Sequence, residues 1–196
     1  MRVVTKLTGT RPLLLHNVQL ANPDNYWSKQ IAAITKKRKK TEEDRAAIAD
    51  LEWEGGLYVH NGVISMPTAN VLRCLCETAK IGKQGKTINR ALTPTDLSVP
   101  LVYSGPQDLE ELKRKPEFRD QAMVRVGTQR ILRTRPIFRT WALFLEWELL
   151  TEVLDFSDFE SIVIQAGRVE GLGDNRKNGY GRFTAEVSEV ALRKAA

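Results

Sequence analysis

Val3, Thr5 and Leu7 alternate with polar positions from Arg2 to Thr8, a period of two that predicts a first strand ended by Gly9. Arg11-Pro12 then breaks into a short apolar stretch, Leu13 to His16. Residues 23–38 carry helical spacing, with Ile31 and Ile34 along one side, and the run Lys36-Lys37-Arg38-Lys39-Lys40 follows. Cations suit a helix C-terminus, so a solvated helix end is the default reading of that run, against a direct functional contact. Thr41 before Glu42, Glu43 and Asp44 predicts an N-cap and a second helix to about Glu54, terminated by Gly55-Gly56. Asn61-Gly62 between 57–60 and 63–66 is a type I′ hairpin signal. Pro67-Thr68 opens a helix whose apolar stripe is Val71, Leu72, Leu75, Cys76 and Ala79.

The pattern weakens over 80–96, which reads as a polar, glycine-dotted loop. Leu97 to Tyr103 reads as one short strand, and 105–120 as charged chain with a short helix near Leu109–Lys113. From Ala122 to Leu150 the chain is mostly extended, with an interruption expected at Pro136. Residues 156–166 are helical, with Phe156, Phe159, Ile162, Val163 and Ala166 forming the stripe; a glycine-rich loop, a last strand over 180–190 and a short frayed tail follow. Strands and helices mixed with hairpins predict an α+β fold rather than a parallel α/β sheet. A split βαβ, ferredoxin-like core fits the order, as a single domain over 1–196 with 105–140 the best candidate for an inserted β-hairpin.

Length and charge narrow the function classes. A chain of 196 residues is long enough to bury a real core. A net charge of +6 favours a polyanionic partner. Cys74 and Cys76 fall about 200° apart on a helix, so they cannot bridge each other or share a metal. They read as buried free thiols in a reducing compartment, and with no CxxC and no Cys/His cluster neither a metal nor a cofactor is expected. No apolar run approaches the roughly 18–20 residues of a membrane span, and Leu13-Leu14-Leu15 is too short for a signal peptide, so a cytoplasmic location is expected.

Three stretches carry candidate binding chemistry. In Gly171-Leu172-Gly173-Asp174-Asn175-Arg176-Lys177-Asn178-Gly179-Tyr180-Gly181-Arg182, glycines bracket a basic segment. Free amides of Gly171, Gly173, Gly179 and Gly181 would form a concave anion site, with Arg176, Lys177 and Arg182 adding charge. The alternative is a tight helix-to-strand connection. No acidic residue falls between Gln121 and Leu145, whereas Arg125, Arg130, Arg133, Arg135 and Arg139 do. By parity Arg133, Arg135 and Arg139 share a strand face with Trp141, a strip suited to phosphates and stacked bases unless acids elsewhere in the fold pair with it. Lys80, Lys83, Lys86 and Arg90 lie in an acid-free stretch with Gly82 and Gly85, either a clamp on a polyanion or an ordinary surface loop. Catalytic signals are sparse: His16 and His60 are the two histidines, neither in a nucleophile motif.

Leu7-Thr8-Gly9-Thr10-Arg11-Pro12-Leu13-Leu14-Leu15-His16-Asn17, Ile64-Ser65-Met66-Pro67-Thr68-Ala69-Asn70-Val71-Leu72-Arg73 and the loop 171–181 fall in an order that resembles the RAMP superfamily of CRISPR effector complexes, especially the repeated subunit that coats guide RNA. The resemblance implies an RRM-like palm with an inserted β-hairpin thumb and head-to-tail homo-oligomers along a single strand, within a larger ribonucleoprotein. It places Asn70 and Arg73 on the nucleic-acid face, Arg125 to Arg139 on the thumb, and Gly171 to Gly181 at the strand's backbone. Stand-alone relatives among phage proteins would work in the host cytosol and leave single-stranded DNA as open a ligand as RNA. The leading expectation is a non-enzymatic strand-binding protein. The alternatives are a metal-independent endoribonuclease using His16 or His60, and a phage interaction or inhibitor protein that binds an acidic partner protein.

Overall fold

In the computed structural model, which describes residues 1–190, Val3, Thr5 and Leu7 of the first strand (β1, Arg2–Gly9) are all buried. The expected tail beyond 190 lies outside the described residues. After the Arg11-Pro12 break comes β2 (Leu13–Leu14), then helix α1 (Tyr26–Thr35), which Asn25 caps by accepting from the Trp27 amide. Helix α2 (Glu42–Gly56) begins with a full capping box: Thr41 Oγ1 accepts from Asp44 N, and the Asp44 carboxylate accepts from Thr41 N, both at 3.2 Å. α2 ends at Gly56, so the helix stops at the Gly55-Gly56 pair that the sequence marks. Their missing side chains also admit Leu20 and Trp27 against Gly55 and Pro136 against Gly56.

The hairpin of β3 (Val59–His60) and β4 (Val63–Pro67) turns at Asn61 and Gly62, both at positive φ as a type I′ turn needs. Helix α3 (Thr68–Ala79) buries Val71, Leu75, Cys76 and Ala79 of the predicted stripe and leaves Leu72 half-buried. The expected loop over 80–96 is instead ordered into a 3-10 turn (Lys80–Gly82), helix α4 (Gly85–Ala91) and strand β5 (Leu92–Pro94). Ile88, Ala91 and Leu92 are buried and anchor it. The single strand expected over 97–103 divides around buried Leu101 into β6 (Ser98–Pro100) and β7 (Val102–Tyr103). Helix α5 (Leu109–Arg114) precedes the long hairpin of β8 (Arg119–Val126) and β9 (Gln129–Phe138). β9 passes through Pro136, whose carbonyl still accepts from Leu15 N at 3.0 Å, so the extended run breaks at Gly127-Thr128 and Arg139-Thr140 instead. Strand β10 (Trp141–Leu149), helix α6 (Phe156–Val169) and strand β11 (Phe183–Glu189) complete the α+β fold.

The main sheet has the order β11–β1–β10–β5, antiparallel throughout, with β7 also pairing β10. Helices α3 and α6 pack against each other, and their apolar stripes join the core with Val3, Leu7, Leu143 and Leu145. Thr5 is in this core because its hydroxyl accepts from Trp147 Nε1 at 3.0 Å, which satisfies both buried polar groups. The opposite parity of the sheet carries Lys6, Phe144, Glu146, Glu148 and Glu186. The β8–β9 hairpin joins a separate sheet through β2, and β3, β4 and β6 form a third.

Candidate functional site

The loop from the end of α6 to β11 is held by its own backbone. Gly171 N donates to Ala166 O at 2.9 Å, Gly179 N to Arg176 O at 2.9 Å, and Gly181 N to Pro12 O at 2.8 Å. Asp174 N donates to Leu14 O at 2.8 Å, which docks the loop on β2. Gly171, Gly173, Gly179 and Gly181 all take positive φ. A methyl group on Gly173 would overlap the Leu14 carbonyl, and one on Gly181 the Leu172 carbonyl. These findings correct the expectation of a cradle of free amides: the amides of Gly171, Gly179 and Gly181 are occupied, and the glycines permit close backbone approach. The loop's positive charge is on side chains, from Arg176, Lys177 and Arg182.

Those side chains line one end of a chain of three clefts. The first, about 680 Å³, lies between α3 and α4, with Ala69, Leu72 and Cys76 beside the basic residues Arg73, Lys80, Lys83 and Lys86. The second, about 310 Å³, is lined by His16, Tyr58, Asn70, Arg73, the residues Gly171 to Asp174 and Arg176. The third, about 590 Å³, runs along the loop past Arg176, Lys177 and Arg182. Arg73 lines the first two and Arg176 the last two. The fold therefore joins two basic segments that lie about a hundred residues apart in the chain. Lys80 is paired to Glu77 at 2.7 Å, and Arg176 is paired to Glu170. Arg73, Lys83, Lys86, Lys177 and Arg182 form no ion pair among the described residues.

The arginine segment departs from the expected free strip. Arg133 Nη1 donates to Glu52 Oε1 at 2.9 Å, and the other carboxylate oxygen accepts from Thr134 N at 2.8 Å. Burial pushes the Glu52 carboxyl up, opposed by the Thr134 amide and Arg133. Arg135 is 5% exposed and donates to Asp120 at 2.9 Å and to Asp174 at 2.8 Å. The acids that neutralise the strip come from α2, from β8 and from the glycine loop. Trp141 is buried with Nε1 donating to Arg11 O at 2.9 Å, and Trp53 and Trp147 are buried too, so none of these rings is open for stacking. Arg125 and Arg130 face each other across β8 and β9 and are exposed, as are Arg139 after β9 and Arg90 on α4; none of these four lines the three clefts. Lys37 of the 36–40 run bridges to Asp44 at 2.6 Å across the α1–α2 connection.

Of the two histidines, His60 is exposed in β3 and lines none of the three clefts, whereas His16 lines the middle cleft. Its Nδ1 is buried without a partner. Burial lowers its pKa, Asp174 opposes this, and Arg133 and Arg135 add to it, so the imidazole is neutral at pH 7. Burial also holds Asp174 up, but its hydrogen bonds from Arg135 and Asn175 outweigh that and leave the carboxyl below its ordinary value. Tyr58 escaped the sequence reading: it stands one residue before β3, with its hydroxyl 3.4 Å from His16 O, and no local pattern marks it. Cys74 and Cys76 are free and buried, and burial pushes the Cys74 thiol up to about 12. Among the described residues no His, Cys, Asp and Glu cluster could hold a metal ion, and no helix is long and apolar enough to cross a membrane. No protein-family model matches the sequence, and no curated protein matches it.

Proposed function

We propose that this protein binds single-stranded RNA or DNA without enzymatic action, along the three linked clefts, and coats the strand as a head-to-tail oligomer. The observation that carries the reading is the continuity of basic lining through Arg73 and Arg176. Phosphates spaced along a strand would meet Lys83, Lys86 and Arg73 first, then Lys177 and Arg182, and binding is chiefly electrostatic. The antiparallel order β11–β1–β10–β5, with α3 between β1 and β5 and α6 between β10 and β11, supports a ferredoxin-like palm and with it the RAMP relationship. The β8–β9 hairpin takes the part of the thumb, and Met123 and Leu132, exposed and opposite each other on it, offer the next subunit an apolar contact. The protein works in the cytosol, the host's if phage-encoded, alone or within a larger ribonucleoprotein.

The test is fluorescence anisotropy on labelled oligo(dT) and oligo(U) over a salt series. Arg73→Ala with Lys86→Ala weakens binding and lowers the slope of log K against log salt by about 1.4, from about 0.7 per phosphate contact. An unchanged slope refutes the cleft assignment. Failure of the wild type to bind either strand refutes the function and favours the acidic protein partner.

His16 supports a second reading, a metal-independent ribonuclease, because a neutral imidazole in a basic cleft can act as a general base. That reading requires cleavage of RNA in EDTA that His16→Ala abolishes and His60→Ala does not.

A further inference from the structure

His16 has a fixed place in the middle cleft. Leu15 N donates to Pro136 O at 3.0 Å and Asn17 N to Gly56 O at 3.1 Å, so the residues on both sides of it are tied to other elements. The Tyr58 hydroxyl donates to the His16 carbonyl at 3.4 Å. Of the ring nitrogens, Nδ1 is buried without a partner. Nε2 forms no hydrogen bond among the described residues, and it is the nitrogen that a ligand in the cleft can reach.

Charges reach the ring from each element packed around it. Strand β9 brings Arg133 and Arg135, the glycine loop brings Asp174 and Arg176, and α3 brings Arg73. Most of these are already answered. Arg133 pairs with Glu52 of α2, Arg135 with Asp120 of β8 and with Asp174, and Arg176 with Glu170 after α6. Counting Arg73, which has no ion pair among the described residues, the arginines and carboxylates of this group are equal in number. The outer clefts differ, because Lys83 and Lys86 on one side and Lys177 and Arg182 on the other are unpaired. A strand along the clefts therefore meets free cations at both ends and a charge-balanced stretch between them. His16 is the group in that stretch that can add a positive charge at mildly acidic pH. Glu52, whose carboxyl burial pushes up, is held by Arg133 and the Thr134 amide and lines none of the three clefts. Without a ligand, burial and the neighbouring Arg133 and Arg135 keep the imidazole neutral, against the pull of Asp174. A phosphate oxygen at Nε2 brings the opposite charge that favours the imidazolium.

Resting on the strand-binding reading, we propose that strand binding is coupled to protonation of His16: a phosphate in the middle cleft accepts a hydrogen bond from Nε2 of the imidazolium, and each subunit takes up a proton as it binds. The hold on the strand is then tight at mildly acidic pH and looser at neutral pH. By reciprocity the strand raises the proton affinity of His16 by the same factor as the proton raises affinity for the strand.

The experiment measures anisotropy of labelled oligo(dT) at fixed salt, from about pH 7.5 to about pH 5.5, for wild type, His16→Gln and His60→Gln. Wild type gains roughly tenfold in affinity across that range, within the usual size of coupling between two sites, and its salt slope rises by about 0.7. His60→Gln follows wild type, and His16→Gln gives a flat profile. Calorimetry in two buffers of different ionisation enthalpy reads the proton uptake directly, which wild type shows and His16→Gln does not. Melting curves at each pH establish the folded range, and the wild-type uptake tests the coupling whether or not His16→Gln folds. Wild-type affinity that is constant with pH, with no proton taken up, overturns the coupling and leaves the strand-binding function standing. A pH dependence that persists in His16→Gln also overturns it. If the strand binds at no pH, the parent function falls and the coupling with it.

Discussion

Arg135 separates the two roles an arginine could have in this fold, and replacing it with methionine tests which one it fills. Methionine keeps an apolar stem and removes the guanidinium, which donates to Asp120 at 2.9 Å and to Asp174 at 2.8 Å. Breaking a fully buried charge pair costs about 3–5 kcal/mol, because the surviving charge is left without a partner. Here the survivors keep some water: the Asp120 side chain is 19% exposed and that of Asp174 40%. Discounting for this screening gives a loss of about 2 kcal/mol. For a domain of this size that lowers Tm by about 4–8 °C. Differential scanning fluorimetry or urea denaturation measures it. The same variant binds oligo(dT) with an unaltered salt slope, because its charge is already matched by two carboxylates. A Tm within about 1 °C of wild type, or a salt slope lower by about 0.7, would mean that Arg135 faces phosphate and not the two aspartates.

Two glycines of the loop give a matched pair. Gly181→Ala forces a methyl group into the Leu172 carbonyl at positive φ and costs roughly 3 kcal/mol or more, whereas Gly179→Ala, with nothing near its Cβ, costs only the left-handed strain of roughly 1–2 kcal/mol. Equal Tm values for the two would refute the docking of the loop on its own backbone. His16 supplies a pH dependence. Burial sets its folded pKa below the ordinary 6.5, so its contribution to stability is full above that value. It is lost as pH falls from 6.5 through the lower folded value, because the unfolded chain takes the proton more readily. Denaturation of His16→Gln therefore shows a flatter fall in stability below pH 6.5 than wild type, and parallel curves would refute the burial argument.

Local signals located most of the elements. The alternation of Val3, Thr5 and Leu7, the Thr41 N-cap and the Asn61-Gly62 turn each act within a few residues, and each reappears in the fold. The errors arise where a distant partner decides. Pro136 looks like a strand break until Leu15 donates to its carbonyl. The acid-free segment 121–145 looked unneutralised because Glu52, Asp120 and Asp174 lie outside it in the chain and meet it only in the fold. The cleft cations were legible as basic stretches. Their connection through Arg73 and Arg176, and the place of Tyr58 between them, follow from the packing of α3 against the glycine loop, which no local spacing encodes.

The central position of β1 has a consequence for biosynthesis. Both of its neighbours are late in the chain: Thr5 meets Trp147 across 142 residues and Lys6 meets Glu186 across 180. At a synthesis rate of about 5–20 residues per second, β1 stands exposed on the ribosome for roughly 10–35 s before β11 can close its second edge. Such long-range pairing also makes for slow folding, since loop closure precedes most of the contacts that reward it. The nascent strand, with its row of unpaired amides and its apolar face of Val3 and Leu7, is therefore the segment most in need of a chaperone, and charged Arg2 and Lys6 on its other face are what guard it against pairing with a second nascent chain.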